Sequence, residues 1–164
     1  MKIIGIDPGS TRAGYGIISF EKTPSFIAGG IIHTHSSDKN TLLAELYTSC
    51  NELLDTHKPD VAGVEKLYFA KNVRTATEVS QSRGVILLSL AQRGIVIEEI
   101  TPLAVKQGIS GWGGATKKDV EKAVRQTLML DGFKDHDDVF DALAIALVTA
   151  YSLRTNHFIE KNTS

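Results

Sequence analysis

The sequence has 164 residues, 42% hydrophobic and 23% charged, which is the composition of one ordinary globular domain with its own core. No apolar run is long enough to span a bilayer, and the first residues run straight into a predicted strand, so we expect neither a membrane anchor nor a secretory signal. The single cysteine excludes an internal disulfide, and together these features predict a cytoplasmic protein. The net charge of −1 argues against a non-specific polyanion binder.

The charge is distributed unevenly along the chain. Residues 61–125 carry ten Lys or Arg and six acidic residues, whereas the remainder carries eight basic and thirteen acidic residues. A basic middle beside an acidic cluster would suit a polyanionic substrate that is cut with the help of a metal. A mixed solvated surface would account for the same distribution.

The first half of the chain predicts a meander followed by a helix and a fourth strand. Apolar runs separated by Pro and Gly predict three strands, at 2–7, 14–20 and 26–34. Apolar residues then recur at spacings of three and four, which predicts an amphipathic helix over 40–57 with Cys50 on its buried face. A short apolar strand over 61–65 follows.

The second half predicts alternating helices and strands. Thr75 with Glu78, and Thr116 with Asp119, have the spacing of a capping box at the start of a helix. The predicted elements are a helix over 75–93, a strand over 95–100, a short helix over 102–107, a flexible glycine-rich loop over 108–115, a helix from 116 and a last helix over 137–153. This order predicts a single α/β domain over 1–153, with a mixed five-stranded sheet flanked by helices, and a polar, flexible C-terminal tail over 154–164.

Four acidic side chains are delivered by three separate elements. Asp7 and Glu65 each end an apolar strand, where a carboxylate is costly unless it is paired or bound to a metal. Asp138 and Asp141 lie three apart on the apolar last helix and therefore share a face. Carboxylates suit Mg²⁺, and two such ions can clamp both reacting oxygens of a phosphodiester. For Asp138 a favourable interaction with the helix dipole is an equally good explanation.

The histidines are weaker candidates for a functional role. With one cysteine and five scattered histidines, the chain shows no zinc-binding pattern. His136 lies two residues before Asp138 and could act as an accessory residue that carries a proton or contacts the scissile phosphate. An exposed loop histidine is the alternative interpretation.

Five motifs, in order along about residues 1–152, resemble those of RuvC-type Holliday junction resolvases. They are Asp7-Pro8-Gly9-Ser10 followed by Gly14-Tyr15-Gly16-Ile17; Val64-Glu65 with Tyr68-Phe69-Ala70-Lys71-Asn72; Gln81 with Arg83-Gly84; Val105-Lys106-Gln107; and Asp138 with Asp141-Ala142-Leu143-Ala144-Ile145-Ala146. The resemblance implies a ribonuclease H-like fold, a homodimer, and dependence on Mg²⁺ or Mn²⁺. It also implies symmetric nicking of two opposed strands of a four-way DNA junction, leaving 5′-phosphate and 3′-hydroxyl ends.

Carried over position by position, the resemblance assigns roles to individual residues. The implied metal-binding carboxylates are Asp7, Glu65, Asp138 and Asp141. The implied lysines at the phosphate are Lys106 and Lys117, with Lys118 as a second candidate for the role of Lys117. The implied DNA contacts are Tyr68, which would stack at the crossover, its neighbour Phe69, which would alternatively lie in the core, and Lys71 and Arg74 at the backbone.

The resemblance also implies partners. The helix over 75–93 would form the homodimer surface, although its apolar residues would equally well pack on the chain's own sheet. The RuvA and RuvB branch-migration complex would be a further partner.

Two other functions remain open from the sequence. The segment from Asp7 to Thr11 looks like the phosphate-binding turn of actin-like and sugar kinases, but those proteins need two such domains and 164 residues supply one. A non-catalytic relative that binds branched nucleic acid would be expected to lack one or more of the four acids, and all four are present here.

Overall fold

The structure is a computed structural model that describes residues 1–67 and 73–163, and the side chains of 1–67 and 76–155. The strands are β1 (Lys2–Pro8), β2 (Arg12–Phe20), β3 (Pro24–His33), β4 (Val61–Glu65) and β5 (Val96–Ile100). The helices are α1 (Lys39–His57), α2 (Val73–Gln92), α3 (Pro102–Ser110), α4 (Lys117–Leu128) and α5 (Asp137–Thr163). Within the described ranges, none of these helices has the length and apolar character needed to cross a membrane.

The five strands form one mixed sheet in the order β3-β2-β1-β4-β5. The first three strands pair antiparallel, as the predicted meander requires, and β4 and β5 run parallel to β1. Parallel neighbours need crossover connections, and α1 and α2 provide them. The predicted α/β class, with a mixed five-stranded sheet flanked by helices, is confirmed.

The two faces of the sheet carry two separate cores, because side chains alternate along each strand. Ile4 and Ile6 of β1 pack with α1 and α2, where Cys50 is fully buried as predicted. Ile3 packs on the other face with residues of α3, α4 and α5. The same alternation places Asp7 on the face of Ile3, at the end of a row that α5 covers.

Two glycines allow α5 to lie directly on the sheet. A Cβ atom added to Gly5 would lie 2.0 Å from the carbonyl oxygen of Ala142, and one added to Gly14 would lie 2.2 Å from that of Asp138. Gly14 pairs with Asp7 in the register of β1 and β2. The first turn of α5 is therefore held beside the strand end that carries Asp7.

The start of α2 differs from the prediction. The helix begins at Val73, so Thr75 lies inside it and is not the N-cap. Glu78 instead pairs with Lys39 of α1 at 3.2 Å. The capping box predicted at Thr75 is therefore wrong, because a contact between two helices engages the acid. The capping box of Thr116 and Asp119 is confirmed.

The ends of two other helices also differ from the prediction. α3 continues to Ser110 and includes Gly108, so the predicted loop over 108–115 begins three residues too early. A Cβ on Gly108 would lie 2.9 Å from Cγ2 of Val148, so close packing on α5 favours glycine there despite its low helix propensity. α5 extends to Thr163, beyond the predicted end at 153. The division into a domain over 1–153 and a tail over 154–164 stays a prediction.

Candidate active site

The first pair of acids comes from neighbouring parallel strands. The register aligns Gly5 with Gly63 and Ile6 with Val64, which brings Asp7 and Glu65 side by side at the carboxyl ends of β1 and β4. The Glu65 carbonyl accepts a hydrogen bond from Nε of Arg83 at 3.0 Å, and the same guanidinium pairs with Glu99 on β5. The end of β4 is therefore held by α2, and both carboxylates project from fixed backbone positions.

The second pair of acids comes from the first turns of α5, and each member has a cationic partner. Nε of Arg12 lies 2.7 Å from Oδ2 of Asp138. Nζ of Lys117, at the start of α4, donates to Oδ2 of Asp141 at 2.6 Å. The helix acids are thus held by side chains from β2 and α4, two elements far apart in the sequence.

The acids adjoin a cleft of about 340 Å³ between the sheet, α3, α4 and α5. Its charged lining residues are Asp7, Glu65, Lys106, Lys117 and Asp141, and its apolar walls are Pro102, Val105, Val120 and Ile145. Asp138 lies outside the lining but close enough for its charge to raise the pKa of Asp7. The cleft therefore combines three carboxylates and two lysines in its lining with a fourth carboxylate nearby.

The electrostatics of the cleft show an excess of negative charge. The pKa of Asp7 is raised from 3.8 to about 7, mainly by burial and then by the nearby charges of Glu65, Asp141 and Asp138, against the opposing effect of Lys117. Burial, followed by the charge of Asp141, also raises the pKa of Glu65. The hydrogen bond to Asp141 raises the pKa of Lys117, so this ammonium stays charged. A bound cation would relieve the repulsion among these acids.

The donor atoms fit a hard divalent cation, although the side chains do not converge on one point. Among the described residues, no three His, Cys, Asp or Glu side chains are arranged to hold a metal ion. In this arrangement Asp138 is turned toward Arg12 and Asp141 toward Lys117. Carboxylate oxygens are the ligands that Mg²⁺ and Mn²⁺ prefer, so Asp7, Glu65, Asp138 and Asp141 could hold such ions once these two ion pairs open.

The remaining predicted residues are placed as follows. Lys118 is exposed and lines a smaller cavity next to Lys117 and Asp141. His136 is exposed in the loop before α5 and is not among the residues that line the cleft. The predicted DNA contacts Tyr68, Phe69 and Lys71 lie outside the described residues, as does the side chain of Arg74.

Two arginines near the site were not given a role by the sequence. Arg12 follows the turn after Asp7, and only the position of α5 shows that it pairs with Asp138. Arg83 stands in one of the quoted motifs, but its bond to the Glu65 carbonyl crosses from α2 to β4. A basic residue next to the Asp7 turn was the one available signal for Arg12.

Comparison with known proteins shows similarity over nearly the whole chain. The family model for crossover junction endodeoxyribonuclease RuvC matches residues 3–149. The RuvC protein of Natranaerobius thermophilus is 43% identical over 159 residues, which cover 94% of this chain and 99% of that protein. The RuvC protein of Chloroflexus aurantiacus is 42% identical over 157 residues, with 94% and 96% covered.

Solved structures show the same relationship. The structure of Thermus thermophilus RuvC in complex with a Holliday junction substrate matches with a TM-score of 0.89 and 28% identity, covering 95% of this chain and 96% of that one. The yeast mitochondrial Holliday junction resolvase Ydc2 shares the fold, with a TM-score of 0.66, 13% identity, and 99% and 86% covered. The ribonuclease H-like fold is thereby confirmed. The chain therefore belongs to the RuvC family of crossover junction endodeoxyribonucleases, metal-dependent nucleases that resolve Holliday junctions.

Proposed function

We propose that this chain cuts four-way DNA junctions in the cleft surrounded by Asp7, Glu65, Asp138 and Asp141. The observation that carries the proposal is that Asp7, Glu65 and Asp141 line one cleft with Asp138 nearby, and that burial and the charges of the other three acids raise the pKa of Asp7 to about 7. Such a cluster would repel a phosphodiester unless cations were bound between them. We propose that the four acids hold two Mg²⁺ ions, for which Mn²⁺ can substitute.

The two pairs of acids have different tasks in this proposal. When bound, the metal ions would activate the attacking water and stabilise the leaving 3′-oxygen, which gives 5′-phosphate and 3′-hydroxyl ends. Asp7 and Glu65 set the position of the site, because both extend from strand ends fixed by the sheet register. Asp138 and Asp141 complete the site from α5 after releasing Arg12 and Lys117.

The lysines act on the phosphate. Nζ of Lys117 lies 2.6 Å from Asp141, at the wall of the cleft, so release from that carboxylate frees an ammonium beside the scissile phosphate. Lys106 lines the same cleft, and within the described side chains it forms no ion pair. Both would neutralise charge that develops on the phosphate in the transition state. Contact with Asp141 and a place in the lining of the larger cleft favour Lys117 over Lys118 for this role.

A four-way junction is close to two-fold symmetric, and nicking two opposed strands requires two active sites. A homodimer with two-fold symmetry meets both conditions. On α2, Ile86 and Leu90 are fully buried in the chain's own core, whereas Leu88 is 51% exposed, so we propose the outer face of α2 as the dimer surface.

Several finer assignments accompany this proposal. Tyr68 or Phe69 would stack on DNA at the crossover, and Lys71 and Arg74 would contact its backbone. RuvA and RuvB as partners, an accessory role for His136 and a cytoplasmic location stay predictions.

A nicking assay tests the proposal. A synthetic four-way junction with a mobile core and a linear duplex of matched sequence are incubated with the protein in Mg²⁺ or in EDTA. We expect paired symmetric nicks only when both metal and junction are present. Binding without cutting in any metal would favour a non-catalytic relative. Indifference to DNA together with ATP turnover would favour the kinase interpretation.

A further inference from the structure

An exposed tryptophan stands on the loop between α3 and α4. The side chain of Trp112 is 67% exposed, and Leu103, beside the same loop, is 55% exposed. The loop packs against Leu103, because a Cβ added to Gly113 would lie 2.8 Å from its Cδ1. The exposed indole and the exposed leucine both leave apolar surface in water, and covering that surface on binding would be favourable.

The backbone that presents Trp112 is held by hydrogen bonds. The Ser110 hydroxyl is shared between the carbonyl oxygens of Lys106 at 2.5 Å and Trp112 at 3.1 Å. The amide of Ala115, a buried residue, donates to the Trp112 carbonyl at 3.2 Å. The indole also lies over Gly114, where an added Cβ would be 2.4 Å from a ring carbon. The ring is therefore presented by an ordered turn.

The segment that carries Trp112 is basic. Residues 100–118 contain three lysines and no acid. Lys106 on α3 lines the acid cleft, and Lys117 and Lys118 begin α4 immediately after the loop. Pro102, the neighbour of Leu103 on α3, also lines the cleft. The loop of Trp112 thus joins α3, which lines the cleft through Pro102 and Lys106, to α4, which lines it through Lys117. Lysines beside exposed apolar side chains fit a nucleic acid strand, which offers a polyanionic backbone and apolar base faces.

We propose that Trp112, supported by Leu103, stacks on a base of the DNA strand that flanks the phosphate in the cleft. This inference rests on the proposed function and adds a second stacking site, separate from the predicted one at Tyr68 and Phe69. Trp112 is a positioning residue: it binds DNA next to the cut and takes no part in the chemistry. Because aromatic stacking tolerates any base, the contact would strengthen junction binding without reading sequence.

The only tryptophan in the chain gives a direct readout of this contact. Metal-free protein is titrated with dye-labelled four-way junction, and DNA anisotropy and tryptophan fluorescence are followed together. We expect DNA to quench the tryptophan fluorescence and to protect the indole from quenching by acrylamide. Both changes should saturate at the same protein-to-DNA ratio as the anisotropy. Saturated anisotropy with unchanged tryptophan accessibility would overturn the inference while leaving the proposed function intact. Absence of any anisotropy change would overturn the proposed function and the inference with it.

Variants separate DNA stacking from other occupants of the patch. Trp112→Ala should weaken junction binding about tenfold, whereas Trp112→Phe should stay within about twofold of wild type. Gly114→Ala keeps the indole but displaces it, and should weaken binding in the same direction. Met129→Ala, which removes another exposed apolar side chain, is the matched control and should leave junction binding unchanged. Acrylamide protection that depends on protein concentration without DNA would assign the patch to a second copy and overturn the inference.

Discussion

The strand acids and the helix acids face the same cleft in different electrostatic states. Asp138 and Asp141 are each paired with a cation, and the partner side chains, Arg12 and Lys117, are 52% and 72% exposed. Asp7 forms no ion pair among the described side chains and is largely buried, so its pKa is raised to about 7. The metal-free protein therefore keeps its carboxylates in two states. One is unpaired at a fixed strand end, and the other is paired with a cation that can be displaced.

The largest expected effect is at Asp7, the buried acid whose pKa is raised to about 7. Asp7→Asn should lower junction nicking at least about 100-fold, because it removes a charge aimed at the reacting centre. It should also raise the melting temperature of the metal-free protein, because a neutral amide avoids the cost of burying a charge and relieves repulsion from Glu65, Asp141 and Asp138. Nicking rates and thermal denaturation in EDTA measure the two effects.

Asp131→Asn, at an exposed acid in the turn before α5, is the control for Asp7→Asn and should change neither property. Retained junction binding is expected for Asp7→Asn. A lower melting temperature together with lost binding would mean instead that Asp7 supports the fold.

The pH dependence of stability provides a second test of the comparison. The pKa of Asp7 is 3.8 before folding and about 7 in the folded chain, so between these values the folded state retains a proton that the unfolded state has lost. Asp7 therefore contributes most favourably to the free energy of unfolding below about pH 4. This contribution falls by up to about 4 kcal/mol as pH rises to about 7. Urea denaturation in EDTA from pH 4.5 to 8 measures this change.

Other acids make the free energy of unfolding change with pH in the opposite direction. The informative quantity is therefore the difference in the free energy of unfolding between wild type and Asp7→Asn. Hydrogen bonds to backbone and side-chain groups lower the pKa of Asp38 and Asp119, and such groups add stability as pH rises. The free energy of unfolding of Asp7→Asn should therefore increase relative to that of wild type as pH rises. Parallel curves would show that Asp7 ionises normally in the folded protein.

The position of the helix acids relative to the strand acids depends on Gly14. Gly14→Ala would place Cβ 2.2 Å from the Asp138 carbonyl oxygen, which forces the first turn of α5 away from β2. We expect a loss of about 1–3 kcal/mol in the free energy of unfolding and weaker Mn²⁺ binding, measured by urea denaturation and calorimetry. Gly84→Ala on α2 is the matched control, because no atom lies within 4 Å of its Cβ. An equal effect of both variants would show that Gly14 does not set the distance between α5 and β2.

The acids of the site could be predicted from the sequence, whereas the partners that hold them could not. Asp7 ends an apolar strand at a Pro-Gly break, and Asp138 with Asp141 share a helix face, so local patterns were sufficient to select the acids. Local patterns do not give strand register or the partners of a side chain across the fold. The pairing of Arg12 with Asp138 and the bond from Arg83 to the Glu65 carbonyl depend on contacts between separate elements, as does the pairing of Lys39 with Glu78 that replaces the predicted capping box.

The smallest effect on stability is expected at Arg12. This residue tests whether the cation paired with a helix acid competes with the metal ion. Arg12→Gln removes an ion pair that is half-exposed, so the free energy of unfolding should change by less than about 1 kcal/mol. Mn²⁺ should nevertheless bind more tightly, because the ion no longer competes with a guanidinium for Asp138. Calorimetric titration of the DNA-free protein measures this affinity, and Arg154→Gln, at an exposed position on α5, serves as the control. Weaker Mn²⁺ binding in Arg12→Gln would mean that Arg12 orients Asp138 for the metal, and the helix acids would then be held in place by their cations, as the strand acids are held by the sheet.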